Sequence, residues 1–118
     1  MPIARGDVVL VQFPYSTGTG SKLRPAVVVQ PDQNNRRLTN IVLVPVTTNI
    51  RRVAEPSQFL IDPLSSTGRA AGLRHASVVT CENVTTVAQS LVLRRLGRLP
   101  KNAMDQVNDC LKAALGLV

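Results

Sequence analysis

Arg24 and Thr47 are the two residues of this chain whose type and placement could do chemistry together. Each stands at the end of a short Val-rich run. Arg24 comes just before Ala26–Val29, and Thr47 comes just after Ile41–Val46, with Thr48 beside it. Short β-branched runs bounded by polar residues or proline read as buried strands. If the two strands pair antiparallel, the start of one lies beside the end of the other, and Arg24 meets Thr47 at one rim of a sheet. A fixed guanidinium beside a fixed hydroxyl can hold a phosphate, the first by two parallel hydrogen bonds and the second by one more. The same spacing also fits a surface arginine and a strand-ending threonine, and the residues alone leave both readings open.

The charge balance bears on the same question. Lys and Arg number 14 against 7 acids, a net charge of +7, and Arg36-Arg37, Arg51-Arg52 and Arg94-Arg95 stand as pairs. Such a balance suggests a polyanionic partner, nucleic acid first, although a basic surface also serves solubility. Aromatics make up only 3% and there is no Trp, so base stacking is not expected as the main mode of contact. With 118 residues, 44% of them apolar, the chain is expected to be one globular domain over residues 1–118 rather than a disordered segment. Cys81 and Cys110 are too few for a disulfide framework and lack a CxxC spacing. His75 alone cannot complete a zinc set with them, so the cysteines read as small buried hydrophobes and His75 as a loop residue. No apolar run approaches the roughly 20 residues of a membrane span, and no leader pattern is seen. The expectation is a cytoplasmic protein with no metal, cofactor or membrane partner.

The elements that must position the pair follow in order. Gly6-Asp7 opens a strand over Val8–Phe13, closed by Pro14. Ser16–Ser21 is small and Gly-rich: a hairpin loop whose backbone N–H groups could approach a phosphate, or a mobile connection. It is not a Walker loop, because no Gly-Lys-Ser/Thr closes it. Pro31–Asn40 is polar and basic, a solvated loop or part of a backbone-binding groove. Phe59–Ile61 is a short strand, Asp62–Gly72 a loop or a turn of helix, and Ser77–Val87 a further strand region interrupted by Glu82. Leu91–Leu99 is the last strand. From Lys101 to Leu115 the apolar residues recur at three- and four-residue steps, which predicts a helix capped by Asn102 and ended by Gly116. Many strands and one closing helix suggest a small curved barrel or half-barrel packed on that helix.

Four stretches resemble the MazF/PemK toxins of bacterial toxin–antitoxin systems: RGDVVLVQFPYS (Arg5–Ser16), LRPAVVVQ (Leu23–Gln30), IVLVPVTT (Ile41–Thr48) and GLRHASVVTCENVTTV (Gly72–Val87). The resemblance runs down to the closing Leu115–Leu117. It implies a mainly β fold, an SH3-like small barrel with a C-terminal helix, assembled as a homodimer. It implies a sequence-specific, metal-independent endoribonuclease acting on single-stranded RNA, and a cognate antitoxin with an acidic disordered segment. In the family the arginine of the Arg-Pro motif and the threonine after the third strand are the catalytic pair, which carry over onto Arg24 and Thr47. Many members have Gly-Ser-Glu-Gln in the first loop; here Ser16–Ser21 holds no carboxylate, which unsettles the loop contacts and the cleavage sequence.

The chemistry expected is attack of a ribose 2′-OH on the adjacent phosphate, leaving a 2′,3′-cyclic phosphate and a 5′-OH. It needs a proton acceptor, in-line geometry and charge stabilisation at the phosphoryl oxygens. Arg24 can supply the last and Thr47 one hydrogen bond. Arginine stays protonated, so Glu82 is the easier base, and the assignment stays open between them. Lys22, Asn35, Arg36, Thr48, Arg51, Arg52, Ser77 and Glu82 complete the expected RNA-contacting set. Two other classes compete: a gyrase-poisoning toxin of the same fold, disfavoured because that relative's C-terminal Trp is missing, and an RNA-binding barrel that has lost cleavage.

Overall fold

The apolar runs become strands. In the computed structural model, which describes residues 2–14 and 18–117, they form one antiparallel sheet of seven strands. These are β1 (Asp7–Pro14), β2 (Ser21–Val28), β3 (Asn40–Thr47), β4 (Gln58–Ile61), β5 (Ser77–Thr80), β6 (Thr85–Ala88) and β7 (Val92–Arg98). Three helices accompany them: α1 (Asp32–Arg37), α2 (Ser66–Ala71) and α3 (Lys101–Leu115). Neighbours run β4-β5-β3-β2-β1-β7, and β6 pairs with β3 alongside β5. Residues 15–17, the start of the Gly-rich connection, lie outside the described residues. No helix among the described residues is long and apolar enough to cross a membrane.

Alternation along the strands explains why the runs are apolar at every position. Val8 of β1 packs with Val27, Val44 and, from α3, Met104 and Val107. Its neighbours Val9 and Val11 point the other way, into a second core with Ala26, Ile41 and Leu43. Successive side chains of a strand face opposite sides, so such a strand must be covered twice. Helix α3 covers one face, and the sheet curls over the other. The result is mainly β, an SH3-like curled sheet with a C-terminal helix. Cys81 and Cys110 are both buried in the α3-side core, and burial, followed by the nearby Cys110 and Glu82, pushes the Cys81 thiol up to about 12. A thiol held that high stays protonated and inert.

Three expectations need correction. The polar stretch after β2 is not all loop, because Asp32–Arg37 forms α1. Its residues are mediocre helix formers, and tertiary bonds hold it instead. Buried Asn35 donates to the Gln30 carbonyl and accepts from Gln30 Nε2, and Gln89 Nε2 donates to the carbonyls of Asn35 and Leu38. Ser77–Val87 is not one strand, because a 3-10 turn at Cys81–Asn83 separates β5 from β6. Both pieces pair with β3, but Val46 faces Val79 while Leu43 faces Thr85. Three steps along β3 are thus matched by six along the partner path, and the surplus residues, Glu82 among them, are ejected from the ladder. Finally, Asn102 does not cap α3. The helix begins at Lys101 with Pro100 at the cap position and no side-chain cap bond; proline's fixed φ suits a helix start. Gly116 does end it, at φ 69°.

Candidate nucleic-acid interface and active site

The groove begins at the pairing of the two Val-rich strands. Strand β2 pairs with β3 so that Ala26 faces Pro45 and Val27 faces Val44. Continued past Ala26, that register sets Arg24 across from Thr47, on the side of the sheet opposite α3 because both alternate with residues of the α3-side core. Both side chains line a groove of about 630 Å³. The ejected turn supplies Glu82 and Asn83, and the loop after β3 supplies Asn49, Arg51 and Arg52.

Each polar group has a definable state. Among the described residues no acid lies within ion-pair distance of Arg24 or Arg51. Thr47 Oγ1 accepts from the Asn49 N–H at 3.1 Å, which fixes the oxygen and leaves its O–H to donate into the groove. Glu82 accepts from Ser57 Oγ at 3.1 Å and from Gln58 Nε2 at 2.7 Å, with Arg52 Nη2 at 3.9 Å. Partial burial raises its pKa, but the bonds from Gln58, the backbone and Ser57 and the charge of Arg52 outweigh that and hold the carboxyl below its ordinary 4.5. Glu82 is therefore ionised at neutral pH, held in place, and a weak base. Gln58 Oε1 is the one buried side-chain polar atom without a hydrogen-bond partner among the described residues. No group of three or more metal-ligating side chains is found among those residues.

The structure thus brings Arg24, Thr47, Arg51, Arg52 and Glu82 into one groove. It places the other expected contacts elsewhere. Thr48, one step beyond Thr47, points to the opposite side and lines a second groove with Ser77. Asn35 is buried with both ends of its amide engaged by Gln30. Arg36 is exposed on α1, and Lys22 is exposed on β2 opposite Phe13; neither lines the first groove or the second. Sequence reasoning missed Phe13, Asn49, Gln58 and Asn83, which line the first groove. Phe13 carried a weak signal, being an aromatic at a strand end before Pro14. Gln58 carried none, because only the fold sets it against Glu82.

A curled antiparallel sheet closed by a C-terminal helix, with a cationic groove at its rim, defines the class of fold and site, and the comparisons give the family. The model of the PemK-like, MazF-like toxin of type II toxin–antitoxin systems matches residues 4–115. Endoribonuclease MazF9 of Mycobacterium tuberculosis is 34% identical over 119 residues, covering 96% of each chain. Endoribonuclease EndoA of Bacillus subtilis is 25% identical over 119 residues, covering 100% of this chain and 98% of its own. The fold matches a mycobacterial endoribonuclease solved in complex with its cognate antitoxin at TM-score 0.78 and 24% identity, covering 98% of this chain and 97% of that one. It also matches a MazE–MazF complex of Deinococcus radiodurans at TM-score 0.76 and 20% identity, covering 100% and 99%. The chain belongs to the PemK/MazF-like toxin family of type II toxin–antitoxin systems.

Proposed function

We propose that this protein is the toxin of a toxin–antitoxin pair and a metal-independent endoribonuclease that cleaves single-stranded RNA in the first groove, residues 1–118 acting as one domain in the cytoplasm. The observation that carries the reading is the convergence of Arg24, Thr47 and ionised Glu82 on one groove. Arg24 holds the non-bridging oxygens of the scissile phosphate bidentately. Thr47 donates a further hydrogen bond to one of them as charge builds there. Glu82 accepts the proton of the 2′-OH, directly or through a water. The 2′ oxygen bonds to phosphorus, the bond from phosphorus to the 5′ oxygen breaks, and the 5′ oxygen takes a proton from water. The products are a 2′,3′-cyclic phosphate and a 5′-OH. Arg51 and Arg52 hold neighbouring phosphates.

The protein acts as a homodimer whose groove crosses the subunit interface, and an acidic antitoxin segment fills the same groove. The charge of Arg24 and Arg51, which no acid among the described residues pairs, attracts either polyanion. Incubation of purified protein with a long RNA in EDTA, with sequencing of the new ends, tests the activity. Cuts at a short motif with cyclic-phosphate ends support it, and intact RNA removes it. Light scattering that gives a monomer at micromolar concentration removes the dimer.

A further inference from the structure

Arg24 and Pro25 are adjacent, as are Thr47 and Thr48, yet the members of each pair line different grooves. Arg24 and Thr47 face the first. Pro25 and Thr48 face a second, of about 450 Å³, on the α3 side of the sheet. The strip formed by the middle of β2 at Arg24-Pro25 and the end of β3 is therefore a ridge with a groove on each flank.

The second groove is built from three directions. Pro25 of β2, Leu10 of β1 and Arg94 of β7 stand in one row across the sheet. The segment after α2 brings Arg74 and His75 over that row. Close backbone packing holds that segment there. A Cβ at Gly72 would meet the Leu96 carbonyl oxygen at 2.2 Å, and one at Gly97 the Ala70 carbonyl oxygen at 2.2 Å. Gly72 also has φ +73°, so only glycine is at ease there.

The lining holds Arg74, Arg94 and His75 and no acid. Among the described residues neither arginine has a carboxylate within ion-pair distance, whereas Arg95 and Arg98 of the same strand both turn to Asp7. Two unpaired guanidiniums in one concave site suit phosphate.

We propose that this second groove is a phosphate-binding subsite for the same RNA strand, holding backbone that has crossed the ridge away from the scissile nucleotide. The proposal rests on the ribonuclease reading. An endonuclease's substrate continues on both sides of the cut, so the chain must leave the first groove. A single residue step separates Thr47 in one groove from Thr48 in the other. A polymer with a charge at every repeat can bridge the two, and Arg74 and Arg94 await it on the far side.

The test uses full-length Arg74→Ala/Arg94→Ala protein, with folding checked by circular dichroism and assembly by light scattering. Two RNAs carry the cut motif: the shortest one the wild type cleaves, and one extended on both sides. For binding, each has a 2′-deoxy scissile nucleotide. The variant is expected to cleave the short RNA with unchanged kcat and KM. On the long RNA KM should rise about tenfold with kcat unchanged, as removal of positioning groups requires. The slope of log K against log salt for the long RNA should fall by about 1.4, since each phosphate of a single strand that is no longer neutralised removes about 0.7. Equal affinity of wild type and variant for the long RNA overturns the proposal and leaves the ribonuclease reading standing. So does a variant that becomes monomeric, which would make the groove a subunit interface, or one that loses only affinity for an acidic antitoxin peptide. A wild type that neither binds nor cuts RNA overturns the reading itself, and the subsite with it.

Discussion

Two arginine clusters sit on this sheet, and they do opposite things. At the start of β1, Asp7 is almost wholly buried; its Oδ1 receives Arg98 Nε at 2.8 Å and lies 3.9 Å from Arg95 Nη1, and its Oδ2 accepts the Ala4 N–H at 2.9 Å. Every charge there is answered within the chain. At the other rim Arg24 and Arg51 face a groove with no acid of their own, and the groove's one carboxylate, Glu82, is held by Ser57, Gln58 and Arg52. The first cluster joins β1 to β7 and is closed. The second is open: among the described residues no acid closes Arg24 or Arg51. The lesson is that arginine identity says little about role; a facing acid makes it structural, and the lack of one makes it a binding group.

Variants can break or sharpen that contrast. The largest effect belongs to Arg24→Ala, expected to lower cleavage in EDTA by about 10²–10³-fold or more, the loss typical of one group stabilising a developing oxyanion. Circular dichroism and the denaturation midpoint should not move, since among the described residues no acid pairs with its side chain. Near wild-type cleavage would end the assignment. Asp7→Ala is expected to do the reverse, costing about 2–3 kcal/mol of stability through the loss of charged hydrogen bonds while cleavage by the folded fraction persists. A denaturant titration reads the first, and an unchanged midpoint would show that the closed cluster holds nothing together.

Thr47→Ala should cost about 1–2 kcal/mol of transition-state stabilisation, seen in kcat more than in RNA affinity, because one hydrogen bond is removed. A larger loss for Thr48→Ala would contradict its place on the other side of the ridge. For Glu82 the sign follows from its lowered pKa. The group contributes stability above its ordinary value of 4.5, and that stability is lost as pH falls through the lower folded value. Glu82→Gln should therefore flatten the acid limb of the stability profile. With Glu82 as base and its pKa lowered, wild-type cleavage should show no acid limb near neutral pH; a limb there would assign the proton transfer to another group. The smallest effect separates neighbours. Arg51→Ala should reduce the salt slope of RNA binding by about 0.7, and Arg52→Ala by less, because Arg52 is already paired with Glu55 at 3.3 Å and lies near Glu82.

What the sequence determined by itself was the local matter. Val-rich runs apolar at every position read as strands covered on both faces, so their existence was legible; that they pair antiparallel is set by the fold. So was the closing helix, whose period and Gly116 stop are local. Arg24 and Thr47 were legible as neighbours only on the condition that the two runs pair antiparallel; the structure meets that condition but sets Arg24 inside β2 rather than before it, and the β2–β3 register carries it across from Thr47 at the end of β3. Tertiary structure decided the rest. Helix α1 depends on Gln30 and Gln89 reaching Asn35 and Leu38, interactions that no local propensity encodes. The split of β5 from β6 depends on how much of β3 there is to pair with, and that surplus puts Glu82 in the groove. Which arginines are answered by an acid depends on which strands become neighbours: Arg94 and Arg95 are adjacent in sequence, yet alternation sends one to a groove and the other to Asp7. Charge is written in the sequence, but its cancellation is a matter of distance, and only the fold sets distance.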